Sequence, residues 1–284
     1  MVYPEFDESR LYTYPDHLRA AITDLPSLPG VYIFHGEEGD LPLYIGKSIN
    51  IRSRVLAHLR TTDEARMLRQ TRRISFERTA GEIGALLLEA RLIKQLQPLH
   101  NRRLRARRQL LAWKLTDGVP ELVSARDVNF ALEPDLYGLY TSRHSAEQHL
   151  RDLADLHGLC YGVLGLEKLS TGRACFRAQL RQCLGACCGR ESLQAHQSRF
   201  MAAVQDMGLV CWPYAGAIAL VEQQDDLLDM HVLRNWCYLG RASTLEQARA
   251  LDTVGTVTAC FDADSYKILC RPVVEGTVRI VSLQ

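Results

Sequence analysis

The residues able to do chemistry begin with two tyrosines. Tyr32 lies in Pro29-Gly30-Val31-Tyr32, and Tyr44 in Leu43-Tyr44-Ile45-Gly46-Lys47. Both segments read as β-strands. Val31 to His35 is a β-branched and aromatic run opened by Pro-Gly, and Pro42 to Gly46 follows the turn at Gly36-Glu37-Glu38-Gly39-Asp40. Side chains alternate along a strand, so Tyr32 and Phe34 share a face, opposite Val31 and Ile33. Tyr44 and Gly46 share a face of the second strand. Paired as a hairpin, the two strands can aim both phenols at one spot. Gly46 is then expected to leave room for a ligand beside Tyr44. Lys47, at the strand's end, is expected to bring its ammonium to the same place.

Two helices must complete the arrangement. Asn50 can cap a helix running to about Leu59, with Ile51, Val55 and Leu59 on a buried stripe. Arg54 and His58 are four apart on that helix, so they share a face next to the stripe. Gly81 to Gln97, ended by Pro98, is the clearest helix in the chain. Within it Glu89 has Ala85 and Leu86 one turn before and Leu92 and Ile93 one turn after. A carboxylate on such a face is partly buried and needs an opposite charge. Either a divalent ion or a salt bridge to an arginine or lysine would supply it.

Charge along the chain is uneven. Of the 284 residues, 1–41 carry net −6, 42–108 net +11 and 109–284 net −4, although the total is only +1. Concentrated positive charge attracts a polyanion, nucleic acid foremost; a solvated, salt-bridged surface is the plainer alternative. The acidic opening, Met1 to Arg10, does not read as a signal peptide. No apolar run is long enough to cross a bilayer, so a cytoplasmic location and no membrane partner are expected.

Taken singly, each tyrosine reads as a packed strand aromatic. Taken in order, Pro29-Gly30-Val31-Tyr32, Tyr44-Ile45-Gly46-Lys47, Arg54, Leu88-Glu89-Ala90 and Leu99-His100-Asn101 resemble the GIY-YIG nuclease superfamily. Spacing and flanking residues resemble the N-terminal domain of the bacterial UvrC excinucleases, and more closely their shorter, Cho-type relatives. The resemblance implies a small domain with a central three-stranded sheet flanked by helices. It gives Tyr44 the activation of water, as base or proton relay, and Tyr32 the orientation of water or phosphate. Lys47 would lower the tyrosine pKa or bond the site's water, and Arg54 would hold the scissile phosphate. Glu89 would be the sole protein ligand of Mg²⁺ or Mn²⁺, and Asn101 would support the site. His58 departs from the tyrosine common there and could be a second base or a phosphate donor. A phenol with its pKa near 10 is a poor base at neutral pH unless a cation favours the phenolate.

DNA contacts are expected from Gly46, Arg52 and the run Arg102, Arg103, Arg105, Arg107 and Arg108, gripping phosphates without reading sequence. A solvated interdomain helix is the plainer reading of that run, which also marks a domain boundary. The nuclease domain is expected over 1–108, with its motif core at about 25–105, and one further mixed α+β region over 109–284. In the latter, short strands are expected from about 110 to 140, helices at 146–156, near 191–207 and near 244–251, and strands at 216–222, 229–233, 266–271 and 276–282. The whole chain is expected to be α+β.

Nine cysteines occur, with Cys160, Cys175, Cys183, Cys187 and Cys188 in one stretch. Without a secretory signal such a cluster favours metal over disulfides. The resemblance of 174–187 to the UvrC Cys-rich region implies a [4Fe–4S] cluster on Cys160, Cys175, Cys183 and Cys187. Four thiolates without histidine also suit Zn²⁺. Cys188 reads as a spare.

Together these imply an endonuclease of nucleotide excision repair and of the SOS response. It would act on damaged double-stranded DNA, cutting the damaged strand on the 3′ side of a lesion once UvrB has loaded. The chain ends where UvrC would carry its second nuclease domain, so a single incision is implied. A non-catalytic damage adaptor and a restriction or mobile-element endonuclease are the alternatives. Neither helix-turn-helix nor zinc-finger spacing supplies the base reader that the last would need.

Overall fold

The computed structural model describes residues 15–37, 41–101, 110–169, 173–255 and 261–284. After a 3₁₀ turn at Asp16–Leu18 come α1 (Arg19–Thr23), β1 (Gly30–His35) and β2 (Pro42–Ser48). They are followed by α2 (Ile51–His58), a 3₁₀ turn at Thr62–Glu64, α3 (Ala65–Gln70), β3 (Arg73–Arg78) and α4 (Glu82–Leu96). The sheet has the order β2-β1-β3, antiparallel throughout, and its hairpin register sets Tyr32 opposite Gly46 and Phe34 opposite Tyr44.

Helices cover both faces, and alternation along the strands decides what each face receives. Tyr32 and Phe34 pack with Ile51 and Val55 of α2, with Leu59 just past its end, and with Met67 and Leu68 of α3. Val31 and Ile45 pack with Leu88 and Ile93 of α4. Asn50 caps α2 by accepting from the Ser53 amide at 2.9 Å. The α4 helix closes at Gln97, whose left-handed φ of 49° precedes Pro98, as a residue before proline is steered out of the helical region.

Contacts divide the chain into residues 1–107 with 214–284, and residues 108–213. The sequence expects one region over 109–284; the contacts instead return 214–284 to the nuclease side. That segment contains β7 (Ile218–Gln224), β8 (Leu227–Arg234), β9 (Cys237–Ala242) and α8 (Leu245–Gly255), then α9 (Ala263–Val274) and β10 (Arg279–Ser282), with sheet order β10-β7-β8-β9. The expected strand at 266–271 lies inside α9, and β9 is a strand the sequence reading lacked. The reason is helical periodicity: Tyr266, Leu269 and Val273 fall on one buried face, and Asp262 caps the helix by accepting from the Ser265 amide. Unit 108–213 holds β4 (Leu111–Thr116), β5 (Val119–Ser124), β6 (Leu136–Tyr140), α5 (Arg143–Leu156), α6 (Phe176–Gln179) and α7 (Leu193–Val204), with sheet order β5-β4-β6. Its core joins Trp113, Tyr137 and Tyr140 to Leu150, Phe200 and Val204.

Candidate active site

Tyr32 stands at the centre of the α2 face. It is 1% exposed. Its ring lies 5.7 Å from Phe34, 6.3 Å from Tyr44 and 5.4 Å from His58. Its hydroxyl is 2.6 Å from His58 Nε2. His58 is buried as well, and its Nδ1 is 2.5 Å from Glu64 Oε2. A carboxylate can only accept, so in the neutral ring Nδ1 carries the proton and Nε2 accepts from the tyrosine. Both ring nitrogens are thereby engaged, which leaves none for a phosphate. Glu64 is a site residue that sequence reading missed. It is one of only five acidic residues in the basic stretch 42–108, which was the available signal. Its distance from the helix face of Arg54 and His58 hid it, because the chain turns between them.

Arg54 lies on the exposed side of α2 beside Tyr32, and the phenol holds the guanidinium pKa above its usual value. Burial pushes the Tyr32 phenol well above the ordinary tyrosine range, and Tyr44 adds to this, while Arg54 pulls the other way. Tyr44 is half-buried beside the Tyr32 ring; its pKa is raised by burial and then by the Glu89 charge, against Arg54.

Two expectations change here. The space beside Gly46 is not open to a ligand: a Cβ there would lie 2.3 Å from the Tyr32 hydroxyl and 2.9 Å from the Tyr44 ring. The cross-strand register puts Tyr32 against Gly46 and fills the gap. Lys47 points away from the tyrosines, since it alternates with Gly46 and follows Ile45 to the α4 side. Its ammonium pairs with Glu82 at 2.6 Å.

Glu89 lies on α4 facing the end of β2. The Lys47 amide donates to its Oε1 at 3.0 Å. Its other oxygen makes no hydrogen bond and neither makes an ion pair among the described residues, so the salt-bridge reading of this carboxylate is not realised there. Burial raises its pKa, with the Lys47 amide and the Lys47 and Arg54 charges opposing. A half-buried carboxylate with a free oxygen and no paired cation fits a hard divalent ion. Asn101 braces the strand between: its Oδ1 accepts from the Ile45 amide and its Nδ2 donates to the Ile45 carbonyl, both at 2.9 Å. It supports the site without touching it. Arg52 is exposed on α2. The run Arg102, Arg103, Arg105, Arg107 and Arg108 lies outside the described residues.

A second cluster gathers Cys160, Cys175, Cys183 and Cys187. Cys160 and Cys175 sulfurs are 3.6 Å apart, Cys175 and Cys183 sulfurs 3.8 Å, and the ligand atoms of Cys160, Cys175 and Cys187 all lie within 4.8 Å of one another. Burial pushes the Cys183 thiol up to about 11 and that of Cys187 to about 12. The nearby His196, buried, accepts from the Cys160 amide at 2.9 Å and so braces the loop rather than joining the donor set. Cys188 is exposed.

Fold and site together define a UvrC-like GIY-YIG nuclease. Comparison with known families matches residues 28–102 to the UvrC-like GIY-YIG domain, 110–206 to the UvrC/Cho excinuclease middle domain and 217–284 to the excinuclease Cho C-terminal domain. The chain is 54% identical over 279 residues to excinuclease Cho of Salmonella typhi, covering 98% of this chain and 94% of that one. It is 53% identical to excinuclease Cho of Escherichia coli K12 over the same shares. UvrABC system protein C of Caldicellulosiruptor saccharolyticus is 31% identical over 66% of this chain and 32% of its own length. The magnesium-bound GIY-YIG domain of UvrC from Thermotoga maritima is 31% identical over 30% of this chain and 94% of that one, with a TM-score of 0.28. The chain therefore belongs to the Cho excinuclease family, and it is a DNA endonuclease of nucleotide excision repair. No described helix is long and apolar enough to cross a membrane.

Proposed function

We propose that this enzyme hydrolyses one phosphodiester of the damaged strand on the 3′ side of a lesion, after a UvrB-type partner has loaded on the DNA. The observation that carries the reading is the meeting of two phenols, an arginine and an unpaired carboxylate around one end of a hairpin. Tyr44 takes the proton of the attacking water. Tyr32 fixes the position of Tyr44 and Arg54. Arg54, exposed on one side, holds a phosphoryl oxygen and offsets the charge that grows in the transition state. Lys47 acts through its amide, which steers Glu89. Glu89 would hold Mg²⁺ or Mn²⁺, which supplies charge neutralisation and help for the leaving 3′-oxygen. The residues named here act on phosphate, water or metal rather than on bases, and lesion choice is assigned to the partner.

Incision of a lesion-bearing duplex loaded with UvrB, in the presence of Mg²⁺, is expected to vanish in Glu89→Ala. In Tyr44→Phe it should fall by about 10² to 10⁴, the range of a lost proton-transfer group. Full incision by both variants overturns the reading, and cutting that maps 5′ to the lesion or proceeds without UvrB corrects it.

We also propose a metal centre on Cys160, Cys175, Cys183 and Cys187. The family resemblance favours a [4Fe–4S] cluster. The sulfur separations favour zinc, because Zn–S bonds of about 2.3 Å on a tetrahedron set sulfurs about 3.8 Å apart. Anaerobic purification with visible absorption and metal analysis separates the two. Colourless, metal-free protein that folds rejects both.

A further inference from the structure

Nothing in the expected chemistry uses Glu64, yet the fold spends a buried histidine on it. His58 is 3% exposed and the Glu64 side chain 32%. They meet because α2 ends at His58, the chain turns through residues 59–61, and the 3₁₀ turn Thr62–Glu64 carries the carboxylate back beneath the helix. On its other side His58 meets the Tyr32 hydroxyl, and the Tyr32 ring lies 6.3 Å from that of Tyr44. Glu64, His58 and Tyr32 thus form one hydrogen-bonded line that starts at a part-exposed carboxylate and ends beside Tyr44, the phenol assigned to the water.

We propose that the proton leaving the attacking water comes to rest on His58 Nε2, carried through Tyr44 and Tyr32, and that Glu64 is the positioning residue that makes His58 able to receive it. The inference rests on the nuclease reading above. Each transfer balances. Water loses a proton to the Tyr44 oxygen as its own oxygen bonds to phosphorus. Tyr44 passes its original proton to the Tyr32 oxygen, and Tyr32 passes its own to Nε2. Neither phenol ends ionised, and the imidazolium that forms sits against the Glu64 carboxylate. The leaving 3′-oxygen is protonated from solvent, and His58 later returns its proton there.

Two physical facts favour this path over a lasting tyrosinate. Tyr32 is enclosed by Phe34, Tyr44 and His58 rings, where a phenolate would be poorly solvated. A carboxylate at Nδ1 fixes the tautomer of the imidazole, so its acceptor nitrogen is held in direction toward the Tyr32 hydroxyl. Without Glu64 the ring could place its proton on Nε2 instead, and a donor there cannot accept from Tyr32.

The test uses the full chain on the UvrB-loaded lesion duplex, with Glu64→Gln, Glu64→Ala, His58→Phe and the double variant Glu64→Ala/His58→Phe. Glu64→Ala is expected to lower the rate at saturating DNA by about 10²-fold, within the range for general acid–base catalysis, with KM little changed. Glu64→Gln, which keeps an acceptor, should lose less. Glu64→Ala should cost nothing further once His58 is phenylalanine. ¹⁵N NMR of the wild-type imidazole should show the proton on Nδ1, a readout that survives if any variant fails to fold. An unchanged rate in Glu64→Ala, additive losses in the double variant, or an Nε2 proton in the wild type overturns the relay. If Glu89→Ala also cuts normally, the nuclease assignment itself fails; if Glu89→Ala is dead while Glu64→Ala is normal, only the relay does.

Discussion

Gly46 shows how tightly a single position can be determined. Its cross-strand neighbour is Tyr32, and the phenol occupies the volume a Cβ would need. The phenol has no freedom to yield, being buried and held by His58 at 2.6 Å. Gly46→Ala is therefore expected to destabilise the protein by about 1–3 kcal/mol, the cost of overpacking, and to break the Tyr32–His58 contact. Denaturant unfolding and the incision rate should fall together; native stability with full activity would show that the ring can move. The same reasoning separates Gly46 from DNA contact. It belongs to the inside of the site, whereas Arg54 is the residue of this cluster that faces solvent.

The element that matters most is α4, because it carries Glu89. Its first turn is not capped by a local side chain. Glu222 of β7, far along the chain, does that work instead, accepting from the Ile83 amide at 3.0 Å and the Gly84 amide at 2.7 Å. A carboxylate at a helix N-terminus is favoured by the exposed amides and the helix dipole. Gly84, a weak helix residue, is required because a Cβ there would lie 2.9 Å from the His231 ring. Further ties run from Asp229 to the Ala80 amide at 2.8 Å and from Lys94 at the other end to Asp262 and Asp264. Burial raises the Glu222 pKa, but the hydrogen bonds from His231, Gly84 and Ile83 outweigh it and hold the carboxyl below its usual range. A depressed carboxyl contributes stability that is present above its unfolded pKa and lost as pH falls through the folded one. Glu222→Gln should thus be less stable than wild type near neutral pH, by about 2 kcal/mol. The gap should close as the pH drops below the ordinary glutamate value near 4.3. Thermal or denaturant unfolding across that range checks it, and a gap independent of pH would refute a charged cap.

At the scale of the whole molecule, the charge pattern and the contact pattern assign different work to different stretches. The excess of positive charge lies in 42–108, the same stretch that builds the site. Four of its five acids are engaged: Glu64 with His58, Glu77 with Arg241, Glu82 with Lys47, and Glu89 with the Lys47 amide. Replacing Arg102, Arg103, Arg105, Arg107 and Arg108 by glutamine is expected to weaken DNA binding alike for every sequence. The slope of log affinity against log salt should flatten by about 0.9 for each phosphate contact removed. Anisotropy titrations at several salt concentrations measure this, and an unchanged slope would remove the run from the DNA interface.

Strands β1 and β2, helices α2 and α4, and the sharing of a face by Tyr32 and Tyr44 were legible in the sequence, because they depend on local periodicity, capping and turn residues acting within a few positions. The family was legible for a related reason: its motif elements recur at a spacing that local structure preserves. Three things were decided only by tertiary structure. Lys47 turns to Glu82 because the sheet has two covered faces and alternation sends it to α4. The space at Gly46 belongs to Tyr32 because antiparallel register, not proximity in sequence, chooses the neighbour. Glu64 and Glu222 reach their partners around a turn or across more than a hundred residues, distances over which sequence pattern carries no information about which side chains will meet.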